Sequence, residues 1–245
     1  QGVSNQLRMV GVRLLEDRVR SVRVEAANLL SPVRNSLPQN ARAAFNVAEE
    51  EYIEAQLAIA ERPEAHSNLG AIYVARGDTE RAEASYLKAL NMEPGAVMAR
   101  VNLADLYRQT ARDADARILL RTGLSLDSDS SVLHHTLGLL LVRTGDTEAA
   151  LEELERAAVL DTRNRRYAYV YGVALNSLGR ADDAINAMRA ARLTFPGDFD
   201  IGWGLVTMLY ESGRTDEALS EGLRLQSEYP EKPDITEFLR RLTDP

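Results

Sequence analysis

The sequence predicts an all-α fold in which antiparallel helix pairs stack into a solenoid. The first observation is a 34-residue period that recurs five times without a gap, as blocks 63–96, 97–130, 131–164, 165–198 and 199–232. The second is that small and bulky residues return at fixed places of every block. The third is composition, because only 6% of the residues are aromatic while alanine and leucine, which favour helices, are frequent.

Each block carries a pattern of residue sizes that is expected where two helices cross. The seventh place is apolar or aromatic and the eleventh is bulky in all five blocks. The eighth place is small in four blocks, with Val206 as the exception. The twentieth place is always alanine, as Ala82, Ala116, Ala150, Ala184 and Ala218. We interpret these alanines as crossing points that admit no larger side chain.

Glycine and proline indicate where the helices of a block end. A glycine is predicted to end the first helix of four blocks in a left-handed conformation, and Ala111 takes that place in the second block. The four glycines are Gly77, Gly145, Gly179 and Gly213. Prolines at 94, 196 and 230 close three blocks, where the chain leaves the second helix. Each block is therefore predicted to be one antiparallel helix pair.

This agreement of spacing and residue size resembles the tetratricopeptide repeat family across residues 63–232. The resemblance implies a right-handed superhelix whose first helices line a concave groove, where a protein or peptide partner binds. Family members that clamp a terminal carboxylate have asparagine at the ninth place, whereas this chain has Ala71, Asp105, Leu139, Val173 and Thr207 there. A clamp of that kind is disfavoured.

The fifth place of the blocks, which faces the groove in the family, becomes aromatic along the chain. It passes from Ser67 and Val101 to His135, Tyr169 and Trp203, and we expect these rings to anchor a partner. The alternative is that the rings fill gaps between adjacent first helices. The predicted groove residues are Asn68, Asn102, Asp105, Arg108, His135, Arg143, Tyr169, Asn176, Trp203 and Tyr210.

Three segments outside the blocks follow other patterns. In residues 1–37, the stretch LLEDRVRSVRVEAANLL resembles the second helix of a HEAT repeat, which implies a HEAT-like helix pair. Residues 38–62 predict a connecting helix, from about Asn40 to Ala60, that has the features of a degenerate repeat. Residues 233–245 predict a capping helix, because Ile235, Phe238 and Leu239 share one helical face and could cover the apolar flank of the last block.

A second resemblance comes from longer stretches, among them SSVLHHTLGLLLVRTGDTEAALEELERAA, taken together with the HEAT-like pair. They resemble the carboxy-terminal region of bacterial multihaem c-type cytochrome proteins. That resemblance implies a periplasmic or exported protein whose repeats dock partners for electron transfer by a haem domain upstream of Gln1. This chain contains no cysteine, so it cannot attach haem through C-x-x-C-H, and we expect no cofactor in it.

Charge and side-chain chemistry exclude several other functions. A net charge of -8 disfavours nucleic acid and acidic lipid as partners, and no apolar run has the length that membrane insertion requires. His66 and His134 are expected to be half-buried packing residues, while His135 is expected to face outward. The adjacent pair diverges on a helix, so we predict no metal site. No nucleophile has a base and an orienting partner, and we predict that the chain is not an enzyme.

Overall fold

The computed structural model describes residues 5–243, which contain fourteen α-helices, one 3-10 helix and no β-strand. The prediction of an all-α fold is confirmed. The chain divides into two compact units, Gln1–Leu126 and Asp127–Pro245, which we call unit 1 and unit 2.

Unit 1 contains the segment before the repeats and the first two blocks. Its helices are α1 (Asn5–Leu14), α2 (Arg20–Leu30), a 3-10 helix (Ser31–Ser36), α3 (Gln39–Leu57), α4 (Pro63–Arg76), α5 (Thr79–Met92), α6 (Val97–Gln109) and α7 (Asp113–Leu126). Leu15, Leu30 and Phe45 join the amino-terminal helices in one buried cluster. The Arg23 guanidinium on α2 donates from Nε and Nη2 to the two Glu51 carboxylate oxygens on α3, at 2.9 and 2.5 Å. These contacts fix α2 against α3.

Unit 2 contains three blocks and the carboxy-terminal helix. Its helices are α8 (Ser131–Thr144), α9 (Thr147–Leu160), α10 (Arg165–Ser177), α11 (Ala181–Thr194), α12 (Phe199–Glu211), α13 (Thr215–Glu228) and α14 (Pro233–Thr243). In both units the even-numbered helices from α4 to α12 are the first helices of their blocks. The odd-numbered helices from α5 to α13 are the second helices.

The helices of a pair approach closely because a small residue lies under a large one. All five alanines at the twentieth place are fully buried, as the sequence predicts. The eighth-place glycines lie under the twenty-fourth-place side chain of the second helix. A Cβ added to Gly70 would lie 2.5 Å from the Tyr86 ring, and one added to Gly138 would lie 2.7 Å from Leu154. A methyl group cannot fit at either place unless the facing side chain moves.

The predicted left-handed helix ends are also confirmed. Gly77, Gly145, Gly179 and Gly213 have φ between +76 and +81°. Ala111 adopts the same conformation, with a φ of +59°. The Arg112 amide then donates to the Tyr107 carbonyl at 2.8 Å, which satisfies a carbonyl at the end of α6. The turn between α6 and α7 therefore keeps the shape of the other turns without a glycine.

Polar side chains at the fourth place bind the turn that precedes their own helix. In three blocks this side chain donates a hydrogen bond to the carbonyl oxygen six residues earlier. The three pairs are His66 with Ala60, Arg100 with Pro94, and His134 with Ser128. His66 is buried and His134 is half-buried, so the prediction that both are packing residues is confirmed.

In the last block the corresponding bond comes from another helix. The fourth place is Gly202, and the carbonyl six residues earlier, that of Pro196, accepts a hydrogen bond from Arg192 on α11. Arg192 is buried, and its guanidinium lies beside Gly202. Glu221 and Glu228 on α13 accept two further hydrogen bonds from it, so the buried charge is fully paired.

Candidate functional site

The predicted groove residues lie on first helices of both units. Asn68 is on α4, and Asn102, Asp105 and Arg108 are on α6. The others are on α8, α10 and α12, and they are His135, Arg143, Tyr169, Asn176, Trp203 and Tyr210. The two sets are described separately, beginning with unit 2.

The three fifth-place rings of unit 2 each pack against a helix outside their own block. His135 on α8 lies 4.5 Å from the Tyr167 ring on α10. Tyr169 on α10 would lie 3.3 Å from a Cβ added to Gly204 on α12. Trp203 on α12 contacts the Phe238 ring on α14 edge-to-face at 5.3 Å. Each ring therefore lies against a neighbouring helix, and for Tyr169 and Trp203, which are half-buried, the role of partner anchor stays a prediction.

His135 does not face outward, and that prediction is wrong. Only 7% of its surface is exposed, because the Tyr167 ring on α10 covers it. Neither imidazole nitrogen has a hydrogen-bond partner within the described residues. Burial, and to a lesser extent the nearby charge of Arg166, lower the pKa of His135 to about 4. The imidazole is consequently neutral at physiological pH.

Trp203 and Tyr210 lie at the carboxy-terminal end of unit 2, where α14 covers part of them. The Phe238 ring contacts both of their rings edge-to-face, at 5.3 and 5.4 Å. Trp203 is half-buried and also stacks on Phe199 of its own helix. Tyr210 keeps 50% of its surface exposed. A partner can therefore reach Tyr210 directly, whereas most of the Trp203 ring is already in contact with the protein.

Sequence reasoning missed three exposed aliphatic residues of this face. Leu139, Val142 and Val173 are 38%, 43% and 39% exposed on α8 and α10. Leu139 and Val173 occupy the ninth place of their blocks, and Val142 occupies the twelfth. Both places project into the groove in the family that the sequence resembles. An apolar residue at the ninth or twelfth place was therefore the signal that could have identified these three residues.

The polar residues predicted for the groove engage local partners in part. In unit 2, the Asn176 side-chain amide donates to Glu211 at 3.2 Å, and Arg143 is exposed. In unit 1, the Asn68 amide donates to Gln56 on α3 at 3.0 Å. Arg108 donates to Asp105 at 3.2 Å, one turn apart on α6. Asn102 is half-buried and lines a cavity.

The structure also bears on metal binding and membrane insertion. Within residues 5–243, histidine and carboxylate side chains do not gather in threes where they could hold a metal ion. The helices in that range are all too short or too polar to cross a membrane.

Comparisons with solved structures place the fold among known repeat proteins. MamA is 24% identical with a TM-score of 0.59, over 70% of this chain and 94% of MamA. YrrB, described as a TPR protein with an unusual peptide-binding site, is 21% identical with a TM-score of 0.56, over 75% and 95% of the two chains. The PilF protein of Pseudomonas aeruginosa is 17% identical with a TM-score of 0.57, over 91% and 99%. At these identities the similarity shows the fold alone.

Sequence comparisons give the family. No curated protein sequence matches the chain. Two family models described as tetratricopeptide repeat do match, one at residues 73–134 and the other at 135–192 and 177–233. The HEAT-like pair and the multihaem cytochrome resemblance stay predictions, because these matches concern only the repeats. Together the matches span residues 73–233, about two thirds of the sequence, and the chain belongs to the tetratricopeptide repeat family.

Proposed function

We propose that the chain is a non-catalytic scaffold that binds a protein or peptide segment on the first-helix face of unit 2. Tetratricopeptide repeats are generally non-catalytic and serve protein–protein interaction. The observation that carries this proposal is the row of exposed aliphatic side chains formed by Leu139, Val142 and Val173, which continues to the exposed ring of Tyr210. Single exposed apolar residues are ordinary on protein surfaces. Here Leu139 and Val173 share the ninth place of two successive blocks, and Val142 and Tyr210 share the twelfth place of the third and fifth blocks.

The spacing of this row suits a segment with regularly spaced apolar residues. Leu139 and Val142 are three residues apart, so they share one face of α8. Val173 repeats the place of Leu139 on α10, and Tyr210 repeats the place of Val142 on α12. Packed helices lie about 8–10 Å apart, which is the distance between side chains two or three residues apart in an extended peptide. A partner segment with apolar residues at that interval would contact one repeat with each of them.

The half-buried rings would support this face rather than form most of its contacts. Tyr169 and Trp203 hold adjacent helices at a fixed distance, and the row is therefore preorganised for binding. The net charge of -8 favours a partner other than nucleic acid. Export to the periplasm, and a role beside a haem domain, would follow only from the cytochrome resemblance.

A display experiment tests the proposal. Random peptides displayed on phage are selected for binding to three proteins. These are the chain 1–245, a Leu139→Ser/Val173→Ser double variant and a Leu193→Ser variant. Leu193 is the matched control, because it is 84% exposed but lies on the second helix α11. We expect peptides with spaced apolar residues to be enriched on the unchanged chain and on Leu193→Ser, and to be lost on the double variant, with helicity by circular dichroism unchanged. The proposal fails if no enriched peptide depends on Leu139 and Val173.

A further inference from the structure

The amino-terminal helix α1 has an outer face that the proposed function does not use. Gly11 and the following Leu15 are buried and face the rest of unit 1. Because an α-helix has about 3.6 residues per turn, the opposite side of α1 carries Met9, Val10 and Arg13. Met9 and Val10 are 61% and 53% exposed, and Arg13 is exposed as well. The outer face of α1 is therefore both apolar and basic.

The carboxy-terminal helix α14 is built differently. It buries Ile235 and Leu239, while Arg240 and Arg241 lie on its exposed side, where both are paired with Glu237. The terminal units of repeat proteins need such a polar outer face for solubility. The outer face of α1 departs from this rule, because it exposes bulky apolar side chains to water.

The arginines of α1 carry positive charge that no acidic residue neutralises. The helix contains Arg8 and Arg13 and no aspartate or glutamate. Within the described residues, neither guanidinium makes a hydrogen bond or an ion pair with another side chain. On the neighbouring α2, by contrast, Arg23 is paired with Glu51 at 2.5 Å. An anionic partner would therefore find two guanidinium groups available on α1.

The same two arginines border a cavity of about 370 Å³. Met9 and Val12 line it from α1, and Ser36 and Pro38 line it from the chain that leads into α3. None of these lining residues is acidic, so no carboxylate competes for the guanidinium groups. Its volume lies within the range of ligand-binding pockets, about 300–1,000 Å³. The cavity thus combines positive charge with apolar walls.

An anionic lipid surface matches both properties of α1. Interfacial helices place apolar side chains at the boundary between headgroups and acyl chains, while their basic residues bind anionic headgroups. Around the helix, Arg13 lies between Met9 and Val10, and its long side chain can extend from this apolar setting to the headgroups. Nucleic acid would leave the apolar side chains without a partner. A two-fold contact with a second copy would bring the arginines of both copies together.

The net charge of -8, which disfavours acidic lipid for the chain as a whole, does not decide the behaviour of α1. At physiological ionic strength, charges are largely screened beyond about 8 Å, so the potential at α1 depends on the charges nearest to it. The first thirty residues contain five arginines and only three acidic residues. Repulsion of the acidic repeats by the lipid favours an orientation in which α1 is nearest to the membrane.

We propose that α1 binds the surface of membranes that contain anionic phospholipid. Met9 and Val10 enter the boundary between headgroups and acyl chains, Arg13 binds a headgroup phosphate, and the cavity beside Arg8 holds a second headgroup. The helix lies on the membrane and does not cross it, since ten residues are too few to span a bilayer. This surface is separate from the aliphatic row of unit 2.

A fluorescent label on the full chain tests the proposal. The chain contains no cysteine, so Val10→Cys introduces a single site for an environment-sensitive nitrobenzoxadiazole label. The matched control is Ile118→Cys on α7, because Ile118 is 66% exposed. With vesicles of equal parts phosphatidylglycerol and phosphatidylcholine, we expect the label at position 10 to brighten and shift to shorter wavelength. The label at position 118 should not respond, and pure phosphatidylcholine should bind at least tenfold more weakly.

A pair of double variants locates the binding by vesicle co-sedimentation. Val10→Ser/Arg13→Ser should raise the lipid concentration needed for half-maximal binding at least tenfold, with helicity by circular dichroism unchanged. Ile118→Ser/Arg121→Ser makes the same change in net charge and apolar surface at two exposed positions of α7 and should bind within twofold of the unchanged chain. Equal binding by the two double variants contradicts a role for α1.

The other occupants of this face give different results, and each overturns the proposal. A response of the label at position 10 to soluble glycerol phosphate as large as that to vesicles would mean that the cavity takes a free phosphate group. A response to polyglutamate, without one to vesicles, would identify an acidic polypeptide. A response that grows with protein concentration in the absence of lipid would identify a second copy. Equal binding to both kinds of vesicle would exclude recognition of anionic lipid.

Discussion

Val206 on α12 faces Gly222 on α13, and in this pair the usual order of sizes is reversed. In the earlier blocks the small residue is on the first helix and the large one on the second, as with Gly138 and Leu154. A Cβ added to Gly222 would lie 3.8 Å from Val206 and only 2.8 Å from Leu239 on α14. The glycine thus compensates for Val206 and leaves room for a side chain of the carboxy-terminal helix.

We predict that Gly222→Leu displaces α14 from the last block. The new side chain would occupy the space of Leu239, as Leu154 occupies the space above Gly138. Phe238 would then leave Trp203, the only tryptophan of the chain, and its emission should shift to longer wavelength with greater quenching by acrylamide.

The matched control is Ser220→Leu, which adds the same side chain at an exposed position of α13 and should leave the emission unchanged. Deletion of residues 233–245 should reproduce the red shift and, because Ile235 and Leu239 are buried against Val206 and Leu225, promote self-association. An unchanged emission spectrum in Gly222→Leu would show that α14 does not depend on this glycine.

A second prediction concerns the alanine at the centre of unit 2. Ala150→Leu should lower the free energy of unfolding by about 1–3 kcal/mol, because the fully buried crossing point cannot accept a larger side chain. Ala190→Leu is the control, since Ala190 is exposed on α11, whereas Ala181 on the same helix is half-buried. Urea denaturation measures both variants, and equal midpoints would contradict the packing described for the twentieth place.

The sequence predicts the repeats more completely than the candidate site, and the reason is physical. A crossing point such as Ala150 restricts residue size in every block, so it leaves a periodic signal. The exposure of a ring depends on which neighbour covers it, and Tyr167 covers His135 from a different repeat. The same holds for Trp203, whose covering residue Phe238 lies outside the 34-residue period.

Backbone strain at Ala111 gives a third prediction. A non-glycine residue in the left-handed region costs about 1–2 kcal/mol. Glycine would remove that strain, but its greater freedom in the unfolded chain would cancel part of the gain in stability. Ala111→Gly should therefore stabilise the chain by about 0.5–1 kcal/mol. Gly145→Ala, at the equivalent turn of unit 2, should destabilise it by a similar amount. Both changes are measured by urea denaturation, and a destabilising Ala111→Gly would contradict the strain.

The buried imidazole of His135 predicts a loss of stability in mild acid. Its pKa is about 4 in the folded chain and about 6.5 when unfolded, so the unfolded state binds the proton more readily. The contribution is fully present above pH 6.5 and is lost as the pH falls toward 4, by at most about 3 kcal/mol. His135→Phe should retain the ring contact with Tyr167 and remove this part of the pH dependence. Parallel stability curves for both proteins between pH 7 and 4 would contradict it.

The most direct test of the proposed function uses a peptide that was selected for binding to the chain 1–245. The affinity of this peptide is measured for a variant of the first-helix face of unit 2 and for a control variant. Tyr210→Ala should raise the Kd at least tenfold, as truncation of an aromatic anchor usually does, while Leu193→Ala should leave the Kd within twofold. Fluorescence anisotropy of the labelled peptide measures both values. If Tyr210→Ala binds as tightly as Leu193→Ala, the partner does not bind on the first-helix face of unit 2, and the proposed function is contradicted.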